Sequence, residues 1–388
     1  MLDLSQIPIV DNHCHGFLPE KEADAFDQLF NLSMLDIPRL HTEHMLLYRK
    51  VISELARFLG CEDGFEEVIR VRKAVYQKDR RGYVQKLFKE VGLETLIVDV
   101  GFPAMEFSGY TVPLDTFKDL TGCRVSSIYR FEPLMSELFN QSLSFDQMEA
   151  EYLKALDRAV LEEGHIAYKS AVAYTFGVRI ERVTRARAEK MYYELVDEGE
   201  LGTSITKISG EPLKKSRVLR HYLTWKGAEK AVEHDVPLQI HMGIGDSPYI
   251  DVRDANPFHL LELIKADELK GLKLVIVHSG YPFVREAAYF ANNFPDVYLD
   301  LSELIPFVGS GIKQSLLNIF DTAPMSKIMY GSDGYNVPEL FWIGVILGRQ
   351  ALTSALGEMI KTGFMNETYA MEVGRMILAD NARRLYQL

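Results

Sequence analysis

Short apolar, β-branched runs alternate along this chain with longer stretches whose apolar residues recur at helical spacing. The runs occupy residues 7–12, 95–100, 124–130, 165–173, 237–241, 273–278, 297–301 and 327–330. Near-continuous hydrophobicity marks strands covered on both faces, and alternation with helices calls for parallel pairing through right-handed crossovers. Eight such strands are the number that closes a barrel. The pattern therefore predicts an α/β fold, a (β/α)8 TIM barrel, with residues 1–388 forming one domain.

Two intervals exceed a simple βα unit. Residues 17–91 follow the first run and contain amphipathic stretches at 46–59 and 83–91. A structureless connection of that length is improbable, so a helical insertion is expected there, poised as a lid over the barrel mouth. Residues 178–231 follow the fourth run. They read as a charged helix around 185–196, a Gly- and Ser-containing turn region at 199–210, and a further helix through Trp225. The tail, 372–388, alternates apolar and charged residues at helical spacing and is expected outside the barrel.

Charge narrows the partners. A formal net charge of −12 over 388 residues opposes binding to nucleic acid phosphates and to anionic membranes, leaving a small molecule as the expected partner. Residues 1–10 lack the basic and apolar regions of a signal peptide, and no apolar run reads as long enough to span a bilayer. The three cysteines, Cys14, Cys61 and Cys123, are scattered, which fits a reducing, cytoplasmic setting rather than a disulfide framework.

Five of the runs carry or end in a residue that can bind a metal. The first ends Asp11-Asn-His13-Cys-His15, and alternation along a strand sends His13 and His15 to the same side. Cys14 then points the other way, as an inert buried thiol. The fourth run carries Lys169, the fifth and sixth end at His241 and His278, and the eighth leads to Asp333. Barrel enzymes place catalytic groups at these strand ends. Any one of these residues alone is commonly structural; the ordered set is what points to a site. Imidazoles with a carboxylate suit zinc foremost, or manganese or iron, and Asp333 beside an activated water could move its proton. Arg130, Arg179, Asp246 and Glu303 follow strands and are candidate substrate contacts, arginine being suited to bidentate capture of a carboxylate. Glu132, at the end of the third run, and Tyr335, after Asp333, are further candidate contacts.

In that order of strands the chain resembles the amidohydrolase superfamily. The segments Ile240-His-Met-Gly-Ile-Gly-Asp246, Asn256-Pro-Phe-His259, Val277-His-Ser-Gly-Tyr-Pro282, Val297-Tyr-Leu-Asp-Leu-Ser302 and Gly331-Ser-Asp-Gly-Tyr-Asn-Val-Pro-Glu339 are similar to its FluG-type branch. That branch is otherwise found fused to a glutamine-synthetase-like domain; this chain is expected to stand alone. The resemblance implies His13, His15, Lys169, His241, His278 and Asp333 as metal ligands, with Asp333 and His278 catalytic. It also implies one or two ions, and a carbamylated Lys169 bridging them in the two-ion case. Hydrolysis of an amide in a small carboxylate-bearing substrate, such as a γ-glutamyl amide, is the expected reaction. The same ligand set serves decarboxylases and uronate isomerases, so fold and metal leave the chemistry open. A metal-stabilised barrel that binds without turnover is the third possibility. Self-association into a homo-oligomer is expected.

Overall fold

The computed structural model describes residues 2–19, 26, 30–101, 111–201 and 211–388. Its strands are β1 (Ile9–Cys14), β2 (Leu93–Asp99), β3 (Arg124–Arg130), β4 (Tyr168–Ser170), β5 (Leu238–Ile240), β6 (Leu274–Ile276), β7 (Val297–Asp300), the two-residue β8 (Ser302–Glu303) and β9 (Ile328–Met329). Eight of them form one sheet in chain order, β1 through β7 and then β9. The β1–β2, β3–β4, β4–β5, β5–β6 and β6–β7 ladders are parallel. Helices separate the strands, and the fold is a (β/α)8 TIM barrel. Strands such as β1, β5 and β6 are wholly buried because both faces are covered, which is why they read as unbroken apolar runs, whereas β3 is buried only at Ser127 and Ile128.

Two compact units share the chain. The first comprises Met1–Val98, Ser108–Ser126 and Asp300–Leu388, and the second Asp99–Phe107 and Ser127–Leu299.

In the first unit, the region between β1 and β2 holds four helices: α1 (Arg39–Thr42), α2 (Leu46–Leu59), α3 (Phe65–Lys78) and α4 (Arg80–Glu90). The α2 helix buries Leu47, Val51, Ile52 and Leu55 on one stripe and ends on Gly60, whose φ of +68° suits the left-handed cap. Asp79 caps α4 by accepting from the Gly82 amide at 2.8 Å. Residues 20–25 and 27–29 of the expected insertion lie outside the described residues. The tail forms helices Glu367–Arg375 and Asn381–Tyr386 joined by a π-helical turn. Asn381 there donates to the Met325 and Ile328 carbonyls, tying the tail to β9.

One expectation needs correction. The helix Pro338–Lys361 is long and apolar enough, by length and composition, to cross a membrane, although no such run was read from the sequence. Its first half is buried among core side chains of the same unit and carries the buried Glu339. That pattern is one of a core helix.

In the second unit β3 to β7 form a continuous arc whose registers place Arg130 beside Lys169 and Lys169 beside Gln239. The helix Phe145–Leu161 opens with a capping box between Ser144 and Gln147, and Thr184 caps the helix Arg185–Asp197. The turn region expected at 199–210 lies, from 202 on, outside the described residues. The next helix is Glu211–Glu233.

Candidate metal centre

The first unit assembles His13, His15 and Asp333. His13 Nε2 lies 3.2 Å and His15 Nε2 3.3 Å from the same oxygen, Asp333 Oδ1. The two rings stand nearly perpendicular, with centroids 5.0 Å apart. Strand alternation thus projects both imidazoles together, as their spacing predicts. The backbone brings the carboxylate to them: Asp333 N donates to the His13 carbonyl at 3.0 Å and His15 N to the Gly334 carbonyl at 2.7 Å. Asp333 itself adopts φ +51°, a left-handed conformation that a non-glycine residue holds only when its surroundings impose it.

A polar layer underlies this group. Asp11 accepts from the Ser332 amide at 2.9 Å and from its hydroxyl, and Ser332 Oγ in turn accepts from Gly334 N at 2.8 Å. Burial pushes the Asp11 carboxyl up to about 8, against the opposing pull of those Ser332 bonds. Asn12 donates to Asp300 at 2.6 Å and to the Tyr330 carbonyl at 2.8 Å. Cys14 points away, buried, its thiol donating to the Ile97 carbonyl at 3.5 Å. Glu303, a candidate substrate contact, is buried at φ +59°. Tyr335 is half-buried.

The second unit assembles His241 and His278. His241 Nε2 lies 2.8 Å from the Ile244 carbonyl, an acceptor only, so that nitrogen carries the proton. Its Nδ1 then directs a lone pair toward His278 Nε2, 3.1 Å away. Fixing a histidine tautomer through a backbone carbonyl is the usual support of a metal ligand. His278 lies in the turn after β6 at φ +60°, followed by Ser279 at φ +46°. The Tyr174 ring sits 4.6 Å from that of His241, and its hydroxyl accepts from Asp246 N at 3.2 Å. Gly245 makes this packing possible, since a Cβ there would stand 2.5 Å from the Tyr174 hydroxyl and 2.8 Å from His241 Nε2. Gly243, at φ +75°, lets the turn after β6 approach, a Cβ there standing 2.1 Å from the Tyr281 carbonyl oxygen.

Lys169 is fully buried in β4. Beside it, Arg130 donates from Nε to Asp99 Oδ2 at 2.8 Å, with a second, shorter bond from the guanidinium. Burial opposes the charge on Arg130, but Asp99 more than offsets it and raises the arginine above its ordinary value. Glu132 faces inward, accepting from Ser170 Oγ and Ala171 N, each at 2.8 Å. Arg179 is exposed and donates to His259 Nδ1 at 3.3 Å. Asp246 is half-buried.

Asp11, Asp99 and Tyr174 were not singled out by the sequence. Asp99 carried a signal, since it ends β2 as the ligand candidates end other strands. Tyr174 carried none, because only the turn after β4 turns its ring onto His241.

Imidazole nitrogens and a carboxylate gathered in a buried cluster, as His13, His15 and Asp333 are, form a donor set capable of binding a metal ion. A barrel bearing such groups at its strand ends is the architecture of a metal-dependent enzyme. The comparisons agree in kind: the amidohydrolase family profile matches residues 128–388. The chain belongs to the amidohydrolase family. It is similar to Protein fluG of Emericella nidulans, 24% identical over 98% of this chain and 46% of that protein. The chain thus spans about half the length of that curated relative. A Lactobacillus casei structure assigned as a metal-dependent hydrolase matches with TM-score 0.86 and 24% identity, covering 100% of this chain and 98% of that one. Uronate isomerase of Thermotoga maritima matches with TM-score 0.63 and 15% identity over 98% and 95% of the two chains. These solved structures share the fold.

Proposed function

We propose that this protein is a metal-dependent hydrolase that cleaves an amide bond in a small carboxylate-bearing substrate, such as a γ-glutamyl amide. The observation that carries the reading is the pair of imidazole Nε2 atoms, at 3.2 and 3.3 Å, on one Asp333 oxygen. At that spacing two imidazole nitrogens and one carboxylate oxygen converge, an arrangement a shared cation would satisfy. The proposed ligands are His13, His15, Lys169, His241, His278 and Asp333, holding one or two ions with zinc first, and a carbamylated Lys169 in the two-ion case.

A divalent ion bound there supplies acidification of water and polarisation of the scissile carbonyl. Asp333 accepts the proton of the attacking water and returns it to the leaving amine. The Ile244 carbonyl holds the His241 proton on Nε2, so Nδ1 is the nitrogen that would ligate the ion. Asp11 and Ser332, joined below, hold the loop that presents Asp333.

Product analysis tests the reaction. Incubation of a γ-glutamyl amide panel in 18O-labelled water should yield glutamate carrying one label per cleavage and an equivalent of free amine. An unchanged substrate mass with a shifted carbonyl on a uronate would favour isomerisation, and released CO₂ would favour decarboxylation. Either result would overturn the hydrolytic reading while leaving the metal centre in place.

A further inference from the structure

β4 is only three residues long, yet the turn that leaves it must place two site groups. Lys169 is its middle residue, and Tyr174, packed on His241, comes five positions later in a 3-10 turn, Val172–Tyr174. Between them, Ser170 Oγ and Ala171 N both donate to one oxygen, Glu132 Oε1, at 2.8 Å each. Glu132 stands in the first turn of the helix Phe131–Phe139, where the helix N-terminus favours a carboxylate. Its neighbour Phe131 packs on Tyr168 of β4 and closes against Gly227 of the long helix Glu211–Glu233.

A buried carboxylate needs compensation. Arg130, at the end of β3, is the cation whose field favours the charge on Glu132, and the Ser170 and Ala171 bonds add to it. On the long helix Arg220 is 2% exposed, its Nε donates to Ser216 Oγ at 3.1 Å, and its guanidinium lies 5.2 Å from the Phe139 ring centroid. Among the described residues no ion pair is formed by this arginine, and its second nitrogen, Nη1, has no hydrogen-bond partner. Burial lowers Arg220 to about 10, and Glu132 is the carboxylate whose field opposes that fall. Arg220 spans seven residues, two helical turns, back from Gly227 and lies on the same helix face. Glu132 is thus a buried carboxylate that spends its hydrogen bonds on the β4 turn.

We infer that Glu132 is a positioning residue for the metal centre. By clamping Ser170 and Ala171 it orients Lys169 on one side of the turn and seats Tyr174 against His241 on the other. The inference rests on the metal-centre reading above and extends it from ligands to the group that sets them.

Titration of the metal-free protein with Co²⁺, followed by visible absorption, tests this directly, with thermal unfolding recorded on the same samples. Glu132→Ala should weaken Co²⁺ binding by about 10- to 100-fold and alter the ligand-field bands, as loss of an outer-shell partner does. Glu132→Gln keeps the acceptor oxygen and should restore most of the affinity. Phe139→Ala, in the same helix but away from the turn, should lower the unfolding temperature and leave the bands unmoved. If Glu132→Ala does not fold, Ser170→Ala reads the same turn with one bond removed, and should shift affinity in the same direction. Wild-type affinity and bands in folded Glu132→Ala or Ser170→Ala would overturn the inference, as would an equal shift in Phe139→Ala. A wild type that binds no Co²⁺ would instead overturn the metal-centre reading itself.

Discussion

Arg72 and Glu339 tie the inserted helices to the helix that follows Asp333, and breaking that tie should be costly. Arg72 on α3 donates from Nε to Glu339 Oε1 at 2.6 Å and from Nη2 to Oε2 at 3.2 Å. The Tyr83 hydroxyl adds a bond to Oε1 at 2.8 Å, and the guanidinium lies over the Tyr76 and Phe26 rings at 4.3 and 4.7 Å. The side chains are 3% and 0% exposed, so water screens neither charge. Arg72→Met removes one partner and strands a buried carboxylate, for which the expected loss is about 3–5 kcal/mol of stability. Replacing both, Arg72→Met with Glu339→Leu, removes the desolvation penalty with the attraction, so the double variant should be more stable than Arg72→Met alone. The assay is urea unfolding of the four proteins of this cycle, followed by far-UV circular dichroism and by tryptophan fluorescence. Coincident transitions by the two probes justify comparing the midpoints. A loss below about 1 kcal/mol in Arg72→Met, or a double variant no more stable than Arg72→Met, would refute the reasoning.

Three further outcomes follow from other parts of the molecule. Burial, with Arg217 and Arg187 nearby, lowers His221 from 6.5 to about 3, so the unfolded chain binds its proton first as pH falls. Its stabilisation is complete above 6.5 and is lost on acidification toward about 3; His221→Gln should flatten the difference in urea midpoint between pH 7 and pH 4.5 by on the order of 2 kcal/mol. Equal pH slopes in the two proteins would contradict this. Gly243→Ala places a Cβ 2.1 Å from the Tyr281 carbonyl oxygen at φ +75°, and should cost both folding stability and bound metal; normal metal content would speak against the close packing. Cys14 is buried and burial pushes the Cys123 thiol up to about 12, so a thiol reagent at pH 8 should label Cys61 well ahead of both, with three thiols titrating only after denaturation.

Pattern alone carried the barrel because most strands, β1, β5 and β6 among them, are covered on both faces, so burial is written directly into composition. It overstated strand lengths where chain curvature ends a ladder early: the run at 165–173 yields β4 at Tyr168–Ser170, and that at 327–330 yields β9 at Ile328–Met329. Spacing also foresaw His13 and His15 on one side, a consequence of period-two geometry. What the chain did not disclose is partner choice. Arg130 reads as a free carboxylate receptor until Asp99, 31 positions earlier, is folded against it. Glu132 reads as a mouth residue until its oxygen meets Ser170 and Ala171, and Arg179 until it emerges exposed beside His259. Left-handed turns at His278 and Asp333 were equally silent, because they are imposed by neighbouring backbone rather than by glycine at those positions.

Metal content is the most direct test of the account. Protein purified without chelators, examined by elemental analysis, should hold between about one and two equivalents of a divalent transition ion, and a His13→Ala, His15→Ala variant that remains folded should lose at least one of them. A wild-type protein that holds no metal, and that takes up neither Zn²⁺ nor Mn²⁺ when they are added, would contradict it.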